Sequence, residues 1–165
     1  MPRRQQFEEN TYYHVYNRWL DKQILFFDNK DFQRFLLYLS EQKDNYKDDI
    51  WLVAYCLLPN HFHFVIKNKK AGLSISNFVW KICASYAKYI WAKYGMQWAW
   101  KSIFESRFKS KLIDNEEYLQ QCIQYVEYNA IKHKLVSKAD DWIFRSDSGS
   151  KLGLEILNLD WEFEF

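Results

Sequence analysis

The chain has 165 residues, of which 48% are hydrophobic and 27% are charged. This composition excludes a disordered chain, and the length is that of one domain with a substantial core. The formal net charge is only +2, so charge alone does not single out a nucleic-acid-binding protein. We expect a single domain over residues 1–165, with a core at about 11–142 and an irregular C-terminal tail at 143–165.

The cysteines and the N-terminus indicate a cellular compartment. Cys56, Cys83 and Cys122 are odd in number and lie far apart in apolar runs, which favours reduced and buried thiols. The first ten residues lack the apolar centre of a signal peptide, and no apolar run approaches the length of a membrane span. We therefore predict a soluble cytoplasmic protein with no membrane partner.

The first half of the chain predicts a strand, a helix and a hairpin. Residues 11–18 are β-branched and aromatic, as in a strand, and Asp28 or Asn29 then caps a helix. A second strand is predicted over 50–58, and its antiparallel return over 61–67 follows the Pro59-Asn60 turn. The apolar residues that give the helix its period are Phe32, Phe35, Leu36 and Leu39.

The second half predicts two further helices around one strand. Ser74 or Ser76 starts a long helix that ends near Gly95, and residues 103–113 resemble a strand. Asp114 and Glu117 form a predicted capping box for a helix through about Lys134. The inward side of that helix carries Leu119, Ile123, Val126 and Ala130.

This order of elements predicts an α+β fold of the ferredoxin-like split βαβ type, an antiparallel sheet with the first two helices on one face. Side chains alternate along a strand, so His61 and His63 project together, opposite Phe62 and Phe64. If the phenylalanines lie under the helices, the histidines stand on the other face, which the last helix can partly cover. Two imidazoles so placed suit a metal ion, although a strand histidine can also satisfy a hydrogen bond beneath a loop.

The last helix offers a third ligand and a nucleophile. Tyr125 and Asn129 are four residues apart and therefore share a helix face. The alternative is that this face is an ordinary solvent-exposed side of the helix. Two imidazoles and a carboxamide oxygen can hold a divalent cation, which would assist attack by the Tyr125 phenol on phosphorus. Tyr128 is the rival nucleophile, but Lys132 follows it at the same spacing and cannot bind a metal. We therefore favour Tyr125.

The positions of lysine and arginine residues predict where a nucleic acid binds. Three of them alternate along the fourth predicted strand and would line one of its faces as a track for phosphates. The alternative is a charged edge strand that resists aggregation. No glycine-rich phosphate-binding loop is present, so we expect no nucleotide cofactor. The residues predicted to contact nucleic acid are Arg107, Lys109 and Lys111 in this track, Arg3 and Arg4 in an N-terminal arm, and Arg18.

Several stretches taken together resemble a known family. The sequences YHVYNR, AYCLLPNHFHFVI, FESRFKS and YVEYNAIKHKLV are similar to those of single-tyrosine transposases of the HUH superfamily, most closely the REP-associated tyrosine transposases, over residues 12 to about 142. The resemblance implies the HUH nuclease fold, with His61, His63 and Asn129 as ligands of Mg²⁺ or Mn²⁺. It also implies that Tyr125 forms a 5′-phosphotyrosine link and releases a 3′-hydroxyl.

The function expected from these observations is metal-dependent cleavage and strand transfer of single-stranded DNA that contains hairpins. A small open-faced sheet accommodates an unpaired strand more readily than a duplex, because the bases can splay onto aromatic rings. Two alternatives remain open, a non-catalytic DNA-binding regulator on the same fold and a replication-initiator type of HUH endonuclease. Both a monomer and a homodimer are compatible with the sequence.

Overall fold

The computed structural model describes residues 5–95, 103–104 and 106–146, and these form four strands, four α-helices and two short 3₁₀ turns. The 3₁₀ turns are Leu20–Lys22 and Ala139–Asp141. In chain order the strands and α-helices are β1 (Thr11–Arg18), α1 (Asn29–Asn45), β2 (Ile50–Leu58), β3 (His61–Asn68), α2 (Ser74–Tyr94), β4 (Lys109–Ile113), α3 (Glu116–Glu127) and α4 (Asn129–Lys132).

The strands form one antiparallel sheet in the order β2-β3-β1-β4. This is the strand order of the ferredoxin-like split βαβ, so the predicted fold class is confirmed. The strand with the two histidines is central, because β3 pairs with β2 on one side and β1 on the other. In that register His61 lies opposite Leu58 of β2 and Arg18 of β1.

Apolar side chains form a separate cluster on each face of the sheet. The larger cluster lies under α1 and α2 and includes Phe62 and Phe64, which have no exposed surface. The smaller one lies under α3 and includes Val65 and Val126. Because burying each such side chain contributes about 1.5–3 kcal/mol, the last helix is held on the face opposite the first two, as predicted.

A bulge in β2 adjusts which side chains reach each cluster. The pairing of β2 with β3 shifts between Leu52 and Ala54. A bulge inserts one extra residue and so interrupts the strict alternation of faces. Val53 and Ala54 consequently both belong to the cluster under α3, although they are adjacent in sequence.

The helix ends follow local capping chemistry and correct two predictions. Asp28 caps α1 through a capping box with Asp31, and α2 begins at Ser74 and ends before Gly95, whose φ is 92°. The cap of α3 is Asn115 rather than Asp114, because the Asn115 side chain accepts from the backbone of Tyr118 at 2.8 Å. The last helix does not run unbroken to Lys134. It is interrupted where Tyr128 leaves helical geometry, at φ −92° and ψ 8°.

The fourth strand is also shorter than predicted. It covers Lys109–Ile113 rather than 103–113. Phe104 instead forms an isolated bridge with Trp19, and Leu20 donates to the carbonyl of Ile103 at 3.2 Å. The beginning of the predicted strand is therefore bound to the loop after β1, and Arg107 precedes the strand instead of belonging to it.

Residues 144–146 run along the outer edge of β2. Leu57 donates to the carbonyl of Phe144 and Ser146 donates to that of Tyr55, each at 2.9 Å. The guanidinium of Arg145 is 1% exposed and contacts the Asp140 carboxylate at 2.7 Å. These residues thus belong to the body of the fold, while 147–165 of the predicted tail lie outside the described part of the chain.

All three cysteines are free, as the sequence predicts. Cys56 and Cys122 are also buried as predicted, whereas Cys83 is only partly buried. Across residues 5–95, 103–104 and 106–146, no helix combines the length and the apolar character that crossing a membrane requires.

A buried carboxylate joins the start of α1 to the end of α2. Asp31 has no exposed surface and accepts hydrogen bonds from Tyr89 and Tyr94 at 2.8 Å each and from the Lys93 ammonium at 2.6 Å. It also accepts from the backbone of Phe27 at 2.9 Å. Removing one partner of such a buried network leaves the others without compensation.

We therefore expect Asp31→Ala to lower the free energy of unfolding by about 3 kcal/mol. The matched control is Asp44→Ala, because Asp44 forms a 3.4 Å ion pair with Lys43 but is 67% exposed. This exposed pair is expected to contribute less than about 1 kcal/mol. Urea unfolding of both variants measures the difference, and equal midpoints for the two would contradict the structural role of Asp31.

Candidate active site

A cavity of about 680 Å³ lies on the α3 side of the sheet, next to the end of β1 and the start of β3. Its walls come from β1, β3, β4 and α3, from Ser106, and from His133 just beyond α4. The lining side chains are mostly polar, basic or aromatic, and they are His14, Tyr16, Asn17, Arg18, His61, His63, Ser106, Lys109, Lys111, Tyr118, Gln121, Cys122, Tyr125 and His133.

The two histidines of β3 lie together in this cavity. Their ring centroids are 5.0 Å apart, and the residues are 7% and 6% exposed. Alternation along β3 places both imidazoles on the side away from Phe62 and Phe64, as the sequence predicts. They are nevertheless largely buried, because α3 packs over this part of the sheet.

The structure brings Tyr125 of α3 to the histidine pair. Its ring centroid is 5.7 Å from that of His63, and the residue is 38% exposed. The Lys132 ammonium lies 4.5 Å from the ring centroid, so a positive charge stands beside the phenol. The rival Tyr128 is 50% exposed and does not line the cavity. Of the two candidate tyrosines, the geometry therefore supports Tyr125.

The carboxamide of Asn129 is buried without a partner. The residue has no exposed surface, and neither its Oδ1 nor its Nδ2 makes a hydrogen bond within the described residues. Buried polar atoms are nearly always paired, so the orphaned carboxamide of Asn129 is an unusual feature of this part of the fold.

The donor groups of His61, His63 and Asn129 have the chemistry of a divalent-cation site, although Asn129 does not line the cavity that holds the two histidines. Among the described residues, no three histidine, cysteine, aspartate or glutamate side chains are arranged to hold a metal ion. The carboxamide oxygen of Asn129 is a suitable donor type for a third protein ligand beside His61 and His63. Two imidazoles and one amide oxygen suit a borderline or hard divalent ion.

His14 is a member of the site that the sequence analysis missed. It lies on β1 and is 9% exposed, and its Nε2 is 2.9 Å from Nδ1 of His63. The alternation of β1 predicts which face it occupies, but only the pairing of β1 with β3 places it beside His63. Nδ1 of His61 is likewise engaged, by Oδ1 of Asn60. Both β3 imidazoles therefore have Nε2 left for another ligand.

The imidazoles are neutral near pH 7 in the folded protein. Burial, assisted by Lys111, lowers the pKa of His14 to about 4. Burial lowers the pKa of His61 to about 4 as well, with further contributions from His133 and Arg18. For His63 burial is again the main cause, and it holds the pKa well below its usual range. Neutral imidazole is the form that binds a metal ion.

The predicted nucleic-acid contacts divide between two places. Arg18, Lys109 and Lys111 line the cavity with the histidines. Arg107 lines a different cavity of about 640 Å³ beside α2, because β4 begins only at Lys109. The prediction that three cations line one strand face is therefore wrong for Arg107. Arg3 and Arg4 lie outside the described residues.

Comparison with known proteins decides the family. The sequence model described as "Transposase IS200 like" matches residues 8–129. The chain belongs to the IS200-like transposase family. The matched region of this transposase runs from just before β1 to Asn129, and so contains the histidine pair and Tyr125.

A solved structure shares the fold. The structure of a REP-associated tyrosine transposase bound to a REP hairpin is similar, with a TM-score of 0.69 and 19% sequence identity, over 90% of this chain and 82% of that chain. A protein of Deinococcus radiodurans R1 described as a transposase matches with a TM-score of 0.45 and 17% identity, over 77% of this chain and 96% of that one. No curated protein matches. The predicted resemblance is thereby confirmed for family and fold.

The buried imidazoles predict a pH-dependent stability. Unfolded histidine has a pKa near 6.5, so below that pH the unfolded chain of this transposase binds protons that the folded protein does not. The stability contributed by neutral His14 and His61 is thus present above about pH 6.5 and is lost progressively toward the folded value of about 4. We expect the urea midpoint of the metal-free protein to fall between pH 7 and pH 5.

The control for this measurement is His14→Asn, which removes one of the titrating groups. Its midpoint should depend less steeply on pH over the same range, in which carboxylates contribute little because they titrate mainly below pH 5. A wild-type midpoint that is the same at pH 7 and pH 5 would contradict the assignment of neutral, buried imidazoles.

Proposed function

We propose that this transposase cleaves and rejoins single-stranded DNA with Tyr125 as its nucleophile. His61, His63 and Asn129 would hold the divalent ion, Mg²⁺ or Mn²⁺. The observation that carries the proposal is the 5.7 Å separation between the rings of Tyr125 and His63 inside a cavity with basic walls. A phosphate held beside the histidine pair would then be open to attack by the phenol.

The proposed reaction exchanges one phosphodiester for another. The phenol of Tyr125 loses its proton and attacks phosphorus, the bond to the 3′-oxygen breaks, and that oxygen leaves as a 3′-hydroxyl. When bound, a divalent cation would draw charge from the non-bridging phosphate oxygens and orient the group for in-line displacement. Attack by a 3′-hydroxyl on the phosphotyrosine then joins the strands and restores Tyr125. Because a phosphodiester is kept throughout, ATP is not required.

Side chains around Tyr125 support this chemistry without reacting themselves. Lys132 stands over the phenol ring and would stabilise negative charge that develops on its oxygen. Arg18 and Lys109 at the cavity wall would bind neighbouring phosphates and so hold the strand in register. The rings of Tyr16 and Tyr118 also line the cavity, and they offer faces on which unpaired bases can stack.

We propose hairpin-containing single-stranded DNA as the partner. An unpaired strand can bend to bring its phosphate between α3 and the sheet, whereas a duplex is too wide and stiff for a site that α3 partly covers. The similar transposase structure contains a REP hairpin, which is consistent with this substrate class.

Tyr125→Phe is expected to abolish the covalent adduct, because it removes the attacking oxygen and keeps the ring. The protein is incubated with labelled hairpin oligonucleotides and Mn²⁺ and then run on a denaturing gel. The matched control is Tyr128→Phe, which changes a tyrosine three residues away that does not line the cavity. It should form adduct at the wild-type level. Adduct that persists in Tyr125→Phe would refute the assignment of Tyr125 as the nucleophile.

Lys109→Ala is expected to weaken oligonucleotide binding and to make it less sensitive to salt. Loss of one phosphate contact should reduce the slope of log K against log salt by about 0.7 for a single strand. Fluorescence anisotropy over a salt series measures this slope. Lys88→Ala is the control, because Lys88 lies exposed on α2, on the opposite side of the sheet. If both variants change the slope equally, the cavity wall is not where the phosphates bind.

A further inference from the structure

Asn60 connects a metal-site histidine to the loop that follows β1. It lies in the turn between β2 and β3, directly before His61. Its side-chain Nδ2 donates to the backbone carbonyl of Lys22 at 3.1 Å, and its Oδ1 contacts Nδ1 of His61. One carboxamide therefore contacts the loop and the imidazole at the same time.

The carbonyl of Lys22 determines how the amide is oriented. A carbonyl oxygen can only accept, so the group of Asn60 that faces it must be the NH₂ and not the oxygen. The oxygen of Asn60 must then face His61. Because that oxygen can only accept, Nδ1 of His61 must carry the hydrogen. In a neutral imidazole the other nitrogen, Nε2, then has a free lone pair.

The loop is held in the geometry that this arrangement needs. Trp19 donates to the backbone carbonyl of Asn60 at 2.9 Å, and Leu25 and Phe26 both donate to that of Pro59, at 2.6 and 3.1 Å. Asp21 and Lys22 both adopt positive φ, 54° and 57°, a left-handed conformation that side chains with a Cβ disfavour. Hydrogen bonds thus join the loop to the turn on both sides of the Lys22 carbonyl, which accepts from the Asn60 side chain.

We propose that Asn60 is a positioning residue that holds His61 in the Nδ1–H tautomer and so presents a bare Nε2 to the cation. The inference rests on the proposed function, in which His61 is a ligand. It adds a determinant of that function, since an Nε2–H tautomer cannot bind a metal through this nitrogen. His63 differs in this respect, because its partner His14 can either donate or accept and does not fix the tautomer by itself.

The direct test is NMR of the full-length, metal-free protein labelled with ¹⁵N at histidine. Long-range ¹H–¹⁵N correlation spectra distinguish a protonated from a bare imidazole nitrogen, and His61→Gln identifies the signals. We expect Nδ1 of His61 to be protonated and Nε2 to be bare at pH 7. An Nε2–H tautomer in the wild-type protein overturns the proposal, whatever the variants do.

Three variants separate positioning from a purely structural role. Asn60→Ala removes the acceptor and should give a mixture of His61 tautomers, with Mn²⁺ affinity about tenfold weaker in an electron paramagnetic resonance titration. Asn60→Asp keeps an acceptor for His61 and removes the donor to the loop, so it should restore the Nδ1–H tautomer. Lys22→Gly keeps the carbonyl and suits the positive φ, and it should leave the tautomer unchanged.

The outcomes are distinct. If Asn60→Ala lowers the melting temperature and leaves both the His61 tautomer and the Mn²⁺ affinity unchanged, Asn60 is structural and the proposal fails. These measurements need no DNA, so they are independent of adduct formation. A wild-type protein with the expected tautomer whose Tyr125→Phe variant still forms adduct refutes the proposed nucleophile and leaves the role of Asn60 intact.

Discussion

The alternation of side chains along β3 is the constraint on which the site depends. Phe62 and Phe64 have no exposed surface and pack beneath α1 and α2, so His61 and His63 must project from the other face. A slip of one residue would bury two imidazoles in an apolar cluster and expose two phenylalanines. Because β3 is central and paired on both sides, the hydrophobic core itself fixes where the histidines stand.

The position of the phenol depends on the second apolar cluster in the same way. Val126 has no exposed surface and belongs with Val65 to the apolar cluster under α3, so this face of the helix is turned toward the sheet. Its neighbour Tyr125 is thereby directed toward the cavity edge. The burial that fixes α3 also dehydrates the imidazoles and keeps them neutral. The packing of α3 on the sheet thus accounts both for the neutral imidazoles and for the position of the Tyr125 phenol beside them.

Features that depend on local pattern could be predicted from the sequence. The bounds of β1 and β2 follow from β-branched and aromatic runs and from the turn at Pro59-Asn60. The helix predicted to carry both Tyr125 and Asn129 is instead interrupted between them, at Tyr128. The roles of Tyr125 as nucleophile and of His61, His63 and Asn129 as metal ligands stay predictions. Alternation on one strand also separates the histidines from the phenylalanines without any knowledge of the partner strands.

Features that depend on tertiary pairing could not be predicted. His14 becomes a neighbour of His63 only through the register of β1 against β3. Residues 103–104 have the composition of a strand but bond to the loop after β1, which shortens β4 and displaces Arg107. Asp114 and Asn115 are both good capping residues, and the sequence does not distinguish them, whereas the structure has Asn115 as the N-cap.

The pairing of residues 144–146 with the border of β2 has a consequence for how the folded protein meets other chains. Main-chain groups of Tyr55 and Leu57 that would otherwise be open at this border are already occupied. Over this stretch, residues 144–146 occupy the place that a strand of another chain would otherwise take. Detaching residues 144–146 would uncover the guanidinium of Arg145, which is buried and contacts the Asp140 carboxylate, so this part of the edge stays covered.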